Sequence, residues 1–303
     1  MRPGSGASPG SDAGEELYRL LVEPVAEAMG DDTLLVVVPD RELNYLPFAA
    51  LRNPATGRYL VEERALVTTP SASLLIAGLE EHEHARRGTL ESALIVANPT
   101  LDREEFPGLP PLSQAGAMAA EIAAFYPRTE VLIGPDATRR RFLERAGKFD
   151  VVHFAGHAIS NPRRYLWSRL ALASDPAGES GGSLYAYEIL AGSLDRTKVM
   201  VLAACQTGSG PLMGGEGMMS LARPFLAEGV PSVLVTLTPV DDRTTAELLQ
   251  LFHGHLAQTG DPAQSLRLAQ IDMLQSPDPR RHAPAAWAPF QIVGSPVKWE
   301  KKK

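Results

Sequence analysis

Two short apolar runs, each ending in a reactive side chain, constrain this chain more than anything else in it. One is Asp150-Val151-Val152-His153-Phe154-Ala155-Gly156-His157-Ala158; the other is Val199-Met200-Val201-Leu202-Ala203-Ala204-Cys205-Gln206-Thr207-Gly208. Near-continuous aliphatic runs of this length, followed by small residues, predict strands buried on both faces of a parallel sheet. In open α/β folds the carboxyl ends of such strands line one edge, and ligands bind there. His157 and Cys205 stand 48 residues apart, and Cys205 is the only cysteine of the chain.

A cysteine nucleophile needs a base to take its proton and N–H donors to hold the oxyanion. A strand end exposes Cys205, and Ala203, Ala204 and Gly208 leave room for a substrate backbone. His157 is the candidate base. The glycine-rich stretch 208–217 offers backbone N–H groups. A free cysteine is also among the most buried residue types and often acts as a small hydrophobe, but the partner histidine, the spacing and the glycines favour chemistry. The same stretch lacks the Gly-Lys-Ser/Thr ending of a phosphate-binding loop, and no Gly-x-Ser-x-Gly elbow occurs. Gly156 and Gly208 also read as turn glycines.

The other histidines read as structural. His153 and His157 are four apart, a spacing that suits a metal on a helix. Their flanks are those of a strand and no carboxylate lies between them, so His153 is expected inside the strand as a core residue. His253 and His255 are two apart in a helical stretch and face different sides, so both are expected at the surface or partly buried. His82 and His84 sit in a charged helix end. No metal or cofactor is expected.

Periodicity predicts strands and helices alternating twice over, as residues 15–134 and 135–298. Residues 15–29 carry a helical stripe with Pro24 inside it, and 216–228, 243–258 and 262–274 read as helices. Asp261 is placed as an N-cap with Pro262 at the first helical position. Residues 184–190 also look helical. Residues 1–14, rich in Gly, Ser and Pro, read as a flexible tail rather than a signal peptide, and 299–303 as a basic tail. The net charge of −7 argues against general nucleic-acid binding. One cysteine excludes an internal disulfide and suits a reducing cytoplasm. No apolar stretch approaches the ~20 residues of a membrane helix.

The motifs, taken in order, resemble a known family. They are His153-Phe154-Ala155-Gly156-His157-Ala158, Ser168-Arg169-Leu170-Ala171-Leu172, Leu202-Ala203-Ala204-Cys205-Gln206-Thr207-Gly208, Gly215-Glu216-Gly217, Pro239-Val240-Asp241-Asp242 and Trp287-Ala288-Pro289-Phe290. Val38-Pro39-Asp40, Leu46-Pro47-Phe48-Ala49-Ala50-Leu51 and Thr69-Pro70-Ser71 extend the match into the first half. Together they look like the CHAT domain, a caspase- and separase-like cysteine peptidase family often attached to tetratricopeptide repeats. The His-to-Cys spacing is close to the roughly 50 residues of caspases.

The resemblance implies a caspase-like α/β three-layer sandwich, with a mostly parallel sheet and helices on both faces. A degenerate half, 15–134, would pack on an active half, 135–298. It implies a His157/Cys205 dyad, with the backbone N–H groups of Ala158 and Cys205 holding the oxyanion; Ala158 stands where caspases have glycine. A backbone carbonyl is one way to orient His157, and the sequence does not identify it. The implied substrate is a protein, and relatives in the wider clan often take a basic residue before the cut. Asp175, Glu216, Asp241 and Asp242 are the acidic candidates, each also readable as a turn or helix-start residue. Residues 175–183 resemble a processing loop in position. Bacterial immunity or programmed cell death, a gasdermin-like pore former as substrate, and an upstream activator or repeat-containing partner are further implications. The alternatives are a catalytically silent scaffold using the same groove, and a small-molecule or nucleotide-binding α/β domain.

Overall fold

The computed structural model describes residues 9–30, 33–85, 89–161, 164–175, 181–203, 217–238 and 240–300. Helices α1 (Pro9–Leu21) and α2 (Ala26–Met29) precede strand β1 (Leu34–Val37), followed by α3 (Leu60–Glu63), β2 (Ala65–Thr68) and α4 (Ala72–Ala85). Next come β3 (Ser92–Pro99), α5 (Ser113–Ala123), β4 (Arg128–Gly134) and α6 (Arg139–Arg145). The middle of the chain forms β5 (Val151–Ala155), β6 (His157–Ile159), β7 (Arg169–Ala171), β8 (Ser183–Tyr185), α7 (Ala186–Ile189) and β9 (Val199–Ala203). The last part forms α8 (Gly217–Ala227), β10 (Ser232–Thr236), α9 (Asp242–Thr259), α10 (Pro262–Leu274), α11 (Pro284–Trp287) and β11 (Phe290–Gly294).

Eight strands make one sheet in the order β1-β2-β11-β10-β9-β5-β3-β4. Its pairings are parallel except β10 against β11, where two parallel blocks meet. Strands from residues 15–134 therefore lie at both edges, and those from 135–298 fill the middle. A small antiparallel sheet, β6-β7-β8, leaves the main one just beyond β5.

Alternation along the central strands builds the two outer layers. Val151, Ala155, Val199, Val201 and Leu234 face one side, against Ile122 of α5, Phe252 of α9 and Leu266 of α10. Val152, Phe154, Met200, Leu202 and Val235 face the other, against Phe142 of α6, Phe225 of α8 and the small sheet's Leu170 and Leu184. Each such side chain taken from water contributes about 1.5–3 kcal/mol, so the central strands are anchored from both faces.

The sheet end remote from the site is tied by one carboxylate. Asp150, 1% exposed, accepts from Ser92 N at 3.0 Å, Ser92 Oγ at 2.7 Å and Glu91 N at 3.1 Å. Lys198 and Arg196 lie 3.3 and 3.4 Å away. Burial pushes the Asp150 carboxyl up, but the Ser92 hydroxyl, Lys198, the Glu91 amide and Arg196 outweigh it and hold it below its ordinary range. The starts of β3, β5 and β9 are thereby pinned together.

Several elements differ from the sequence expectation. The first helix starts at Pro9, inside the stretch expected to be a tail, and stops at Leu21, because Pro24 cannot continue it. Residues 184–190 are not one helix: β8 runs to Tyr185, and Tyr185 N donates to Glu188 Oε2 at 2.9 Å to start α7. Trp299 does not belong to a tail. It is 2% exposed, and its N–H donates to Gly260 O at 2.8 Å. Gly260 ends α9 at φ +65, where a Cβ would stand 2.5 Å from Trp299 O. Among the described residues, no helix is long and apolar enough to cross a membrane.

Candidate active site

His157 begins β6, two residues beyond the end of β5. Gly156 makes the bend between them. A Cβ there would stand 2.4 Å from Cζ of Phe154, whose ring is fully buried. Glycine is therefore required for close approach to an aromatic ring, not for a left-handed turn. His157 is 3% exposed, and its Nε2 lies 2.7 Å from Pro110 O. A carbonyl oxygen only accepts, so Nε2 carries the proton and Nδ1 is the basic nitrogen of the neutral ring.

Pro110 was not legible as a functional residue, since a backbone acceptor has no sequence signature. Its loop, between β3 and α5, is fastened at three points. Asn98 at the end of β3 takes a positive φ of 44, uncommon outside glycine, and its Oδ1 accepts from Leu112 N at 3.0 Å. Thr100 N donates to Gly134 O at 2.9 Å. Glu105 accepts from Gly182 N at 2.8 Å, Ser183 N at 3.0 Å and Ser183 Oγ at 2.6 Å, joining the loop to β8. Between this loop and His157 lies a cleft of about 260 Å³.

Cys205 and Glu216 lie outside the described residues. The strand that precedes Cys205, β9, pairs with β5 in parallel, Ala155 opposite Ala203 and Phe154 opposite Leu202. Ala158 lies in extended β6, fully buried in the apolar layer with Phe154 and Leu170. It takes no positive φ, so alanine meets the backbone demand at this position.

Asp175 lies apart from the adjacent Asp241 and Asp242. Asp175 is 7% exposed and faces Arg140 of α6, with Oδ2 2.6 Å from Nε. Asp241 caps α9, accepting from Thr244 N at 3.0 Å and Thr244 Oγ1 at 3.2 Å. Asp242 Oδ2 accepts from Gln114 N at 3.2 Å. The helix α6 packs on one face of the sheet and α9 on the other. Asp175, Asp241 and Asp242 each make a contact within the fold.

His153 is fully buried in β5, and its Nδ1 lies 2.9 Å from His253 Nε2 of α9. His253 Nδ1 in turn lies 2.7 Å from the Tyr126 hydroxyl. Burial pushes His153 down to about 3, pushes His253 well below its ordinary value with His153 adding to the effect, and raises Tyr126. The chain of three is neutral. His255 is partly buried as expected and pairs with Asp272 of α10 at 2.7 Å, whereas His253, expected at the surface or partly buried, is fully buried because its ring meets His153 and Tyr126. No group of three His, Cys, Asp or Glu suited to a metal occurs among the described residues.

Comparison with known proteins agrees with this architecture. Tetratricopeptide repeat protein 28 of Mus musculus is 26% identical over 333 residues, covering 93% of this chain and 13% of that protein. The Homo sapiens protein of the same name is 26% identical over 329 residues, with the same coverage. The chain thus spans 13% of the length of these curated relatives. Among solved structures, the Arg-specific cysteine proteinase gingipain R (RgpB) superposes with a TM-score of 0.55 at 11% identity, over 98% of this chain and 69% of its own. The complex of the pro- and mature domains of Porphyromonas gingivalis RgpB gives 0.55 at 9% identity, over 94% and 68%. These two likenesses concern the fold, which is of the caspase-like cysteine-proteinase type. The model of the family described as CHAT domain matches residues 11–295, and the chain belongs to that family.

Proposed function

We propose that the chain is a cysteine endopeptidase that works through His157 and Cys205. The observation that carries this reading is the register of β5 against β9. Ala155 pairs with Ala203, so the sequence offset between the paired strands equals the offset between histidine and cysteine. Each reactive residue follows its paired alanine by two positions. Family membership and the Pro110 contact, which fixes the tautomer of His157, add support.

In this reading the Cys205 thiol passes its proton to His157 Nδ1, and the sulfur attacks a peptide carbonyl. The backbone N–H groups of Ala158 and Cys205 hold the oxyanion. The C–N bond breaks, and His157 returns the proton to the leaving amine. Water, deprotonated by His157, then cleaves the thioester and restores the thiol. Asp175, Glu216, Asp241 and Asp242 are the acidic candidates for a basic side chain before the cut bond. The substrate is a protein partner, with a gasdermin-like pore former in bacterial immunity or programmed cell death as the proposed class.

The test is cleavage of a proteome-derived peptide library by the wild type and by Cys205→Ala. Cuts that vanish with Cys205→Ala support the reading. Equal cutting by both proteins ends it, and no cutting by either, even with added repeat-containing partner, favours a silent scaffold.

A further inference from the structure

The cleft beside His157 carries a basic side chain in an acidic chain of net charge −7. It lies over the ends of β3, β4 and β5, lined by Asn98, Arg103, Phe106, Pro110, Gly134 and His157 among others. Among the described residues that line it, Arg103 is the one permanently charged side chain. It is exposed, and no ion pair to it occurs among the described residues. The neighbouring Asp102, Glu104 and Glu105 are not among the lining residues: Asp102 accepts from Glu104 N in a turn, and Glu105 holds Gly182 and Ser183. Asn98 uses its Oδ1 on Leu112 N, which leaves its amide NH2 as a second donor in the cleft wall.

Sheet order decides which part of a substrate reaches this cleft. The order is β9-β5-β3-β4, so β5, which leads to His157, stands between β9, which leads toward Cys205, and the strands β3 and β4 whose ends carry most of the cleft. In acyl transfer the acyl half stays on sulfur, while the amine half departs past the histidine that protonates it. We propose that the cleft receives the residues following the cut bond, and that Arg103, assisted by Asn98, selects an acidic side chain there. This rests on the peptidase reading and names the substrate class on its leaving side.

Sequencing the new N-termini released from a proteome-derived peptide library tests it. Asp and Glu should be enriched within the first three positions after the cut for the wild type, lost in Arg103→Ala and replaced by Lys and Arg in Arg103→Glu. For a peptide with Glu in that position, kcat/KM should fall about fivefold in Arg103→Ala, the size of one exposed ion pair, while its Ser counterpart is cut unchanged. Cleavage with no acidic preference, or with the same profile in Arg103→Glu, overturns the proposal and leaves the peptidase reading standing. A second arm titrates the peptide Glu-Glu-Ala-Ser, free at its N-terminus, into Cys205→Ala and follows the backbone amides of 98–112 by NMR. Shifts abolished by adding Arg103→Glu support selection of acidic side chains by the cleft even if the wild type cuts nothing, which would remove the peptidase reading alone. No shifts and no cleavage overturn both.

Discussion

His157 Nε2 donates to the carbonyl of Pro110 across 2.7 Å and 47 residues of sequence. The contact fixes the tautomer and the ring plane of the candidate base with a group that cannot titrate. Its quality depends on the loop that carries Pro110, and that loop is held chiefly by Glu105.

Glu105→Ala removes three hydrogen bonds to a carboxylate at once. It is expected to cost about 1–3 kcal/mol of stability and, by loosening Pro110, to lower kcat by about tenfold to a hundredfold. A readout of kcat against KM separates positioning from mere instability: kcat falls while KM stays near the wild-type value. A rise in KM at constant kcat would place Glu105 in substrate binding instead.

Gly156→Ala forces its new methyl against the Phe154 ring, which itself packs edge-on against Phe142 with ring centroids 6.5 Å apart. Urea denaturation should show a loss of about 1–3 kcal/mol, the usual cost of overpacking a core. Combining it with Phe154→Leu should give less than the sum of the single effects, because the two changes share one space. Strict additivity would show that the glycine serves something other than the ring.

Stability should fall as pH drops below about 6.5. His153 and His253 are held neutral by burial, His153 down to about 3. Their folded pKa values are depressed, so the unfolded chain binds protons first. The stability is complete above the unfolded value near 6.5 and is lost as pH falls, at up to about 1.4 kcal/mol per pH unit for each histidine. Urea midpoints between pH 7 and 5 measure this. His153→Leu should flatten the slope; an unchanged slope would mean that the buried pair is already charged in the folded state.

The parts of this fold that were legible from sequence are those that repeat locally. Val151–Ala155 and Val199–Ala203 stand out as unbroken apolar runs because both of their faces are covered, and the caps Asp241 and Asp261 announce their helices through side-chain chemistry. His153 was read correctly as a core residue, but its partners, His253 and Tyr126, come from distant helices that no period connects. The three-residue strand β8 is too short for a period to show, so Leu184 was assigned to a helix. Sheet order is a long-range property, and nothing local in β3 or β4 says that they flank β5 rather than β2. Trp299 was hidden by the lysines that follow it.

The rate at which Cys205 is alkylated by iodoacetamide at pH 6, in the wild type and in His157→Ala, tests the central claim most directly, because the chain holds one cysteine and the adduct reports it alone. A free thiol, with its pKa near about 8.5, is largely protonated and slow there. If His157 and Cys205 act as a pair, the wild type reacts faster than a free thiol and His157→Ala falls back to the free-thiol rate. Equal rates in the two proteins, with the same pH dependence, would contradict the pairing.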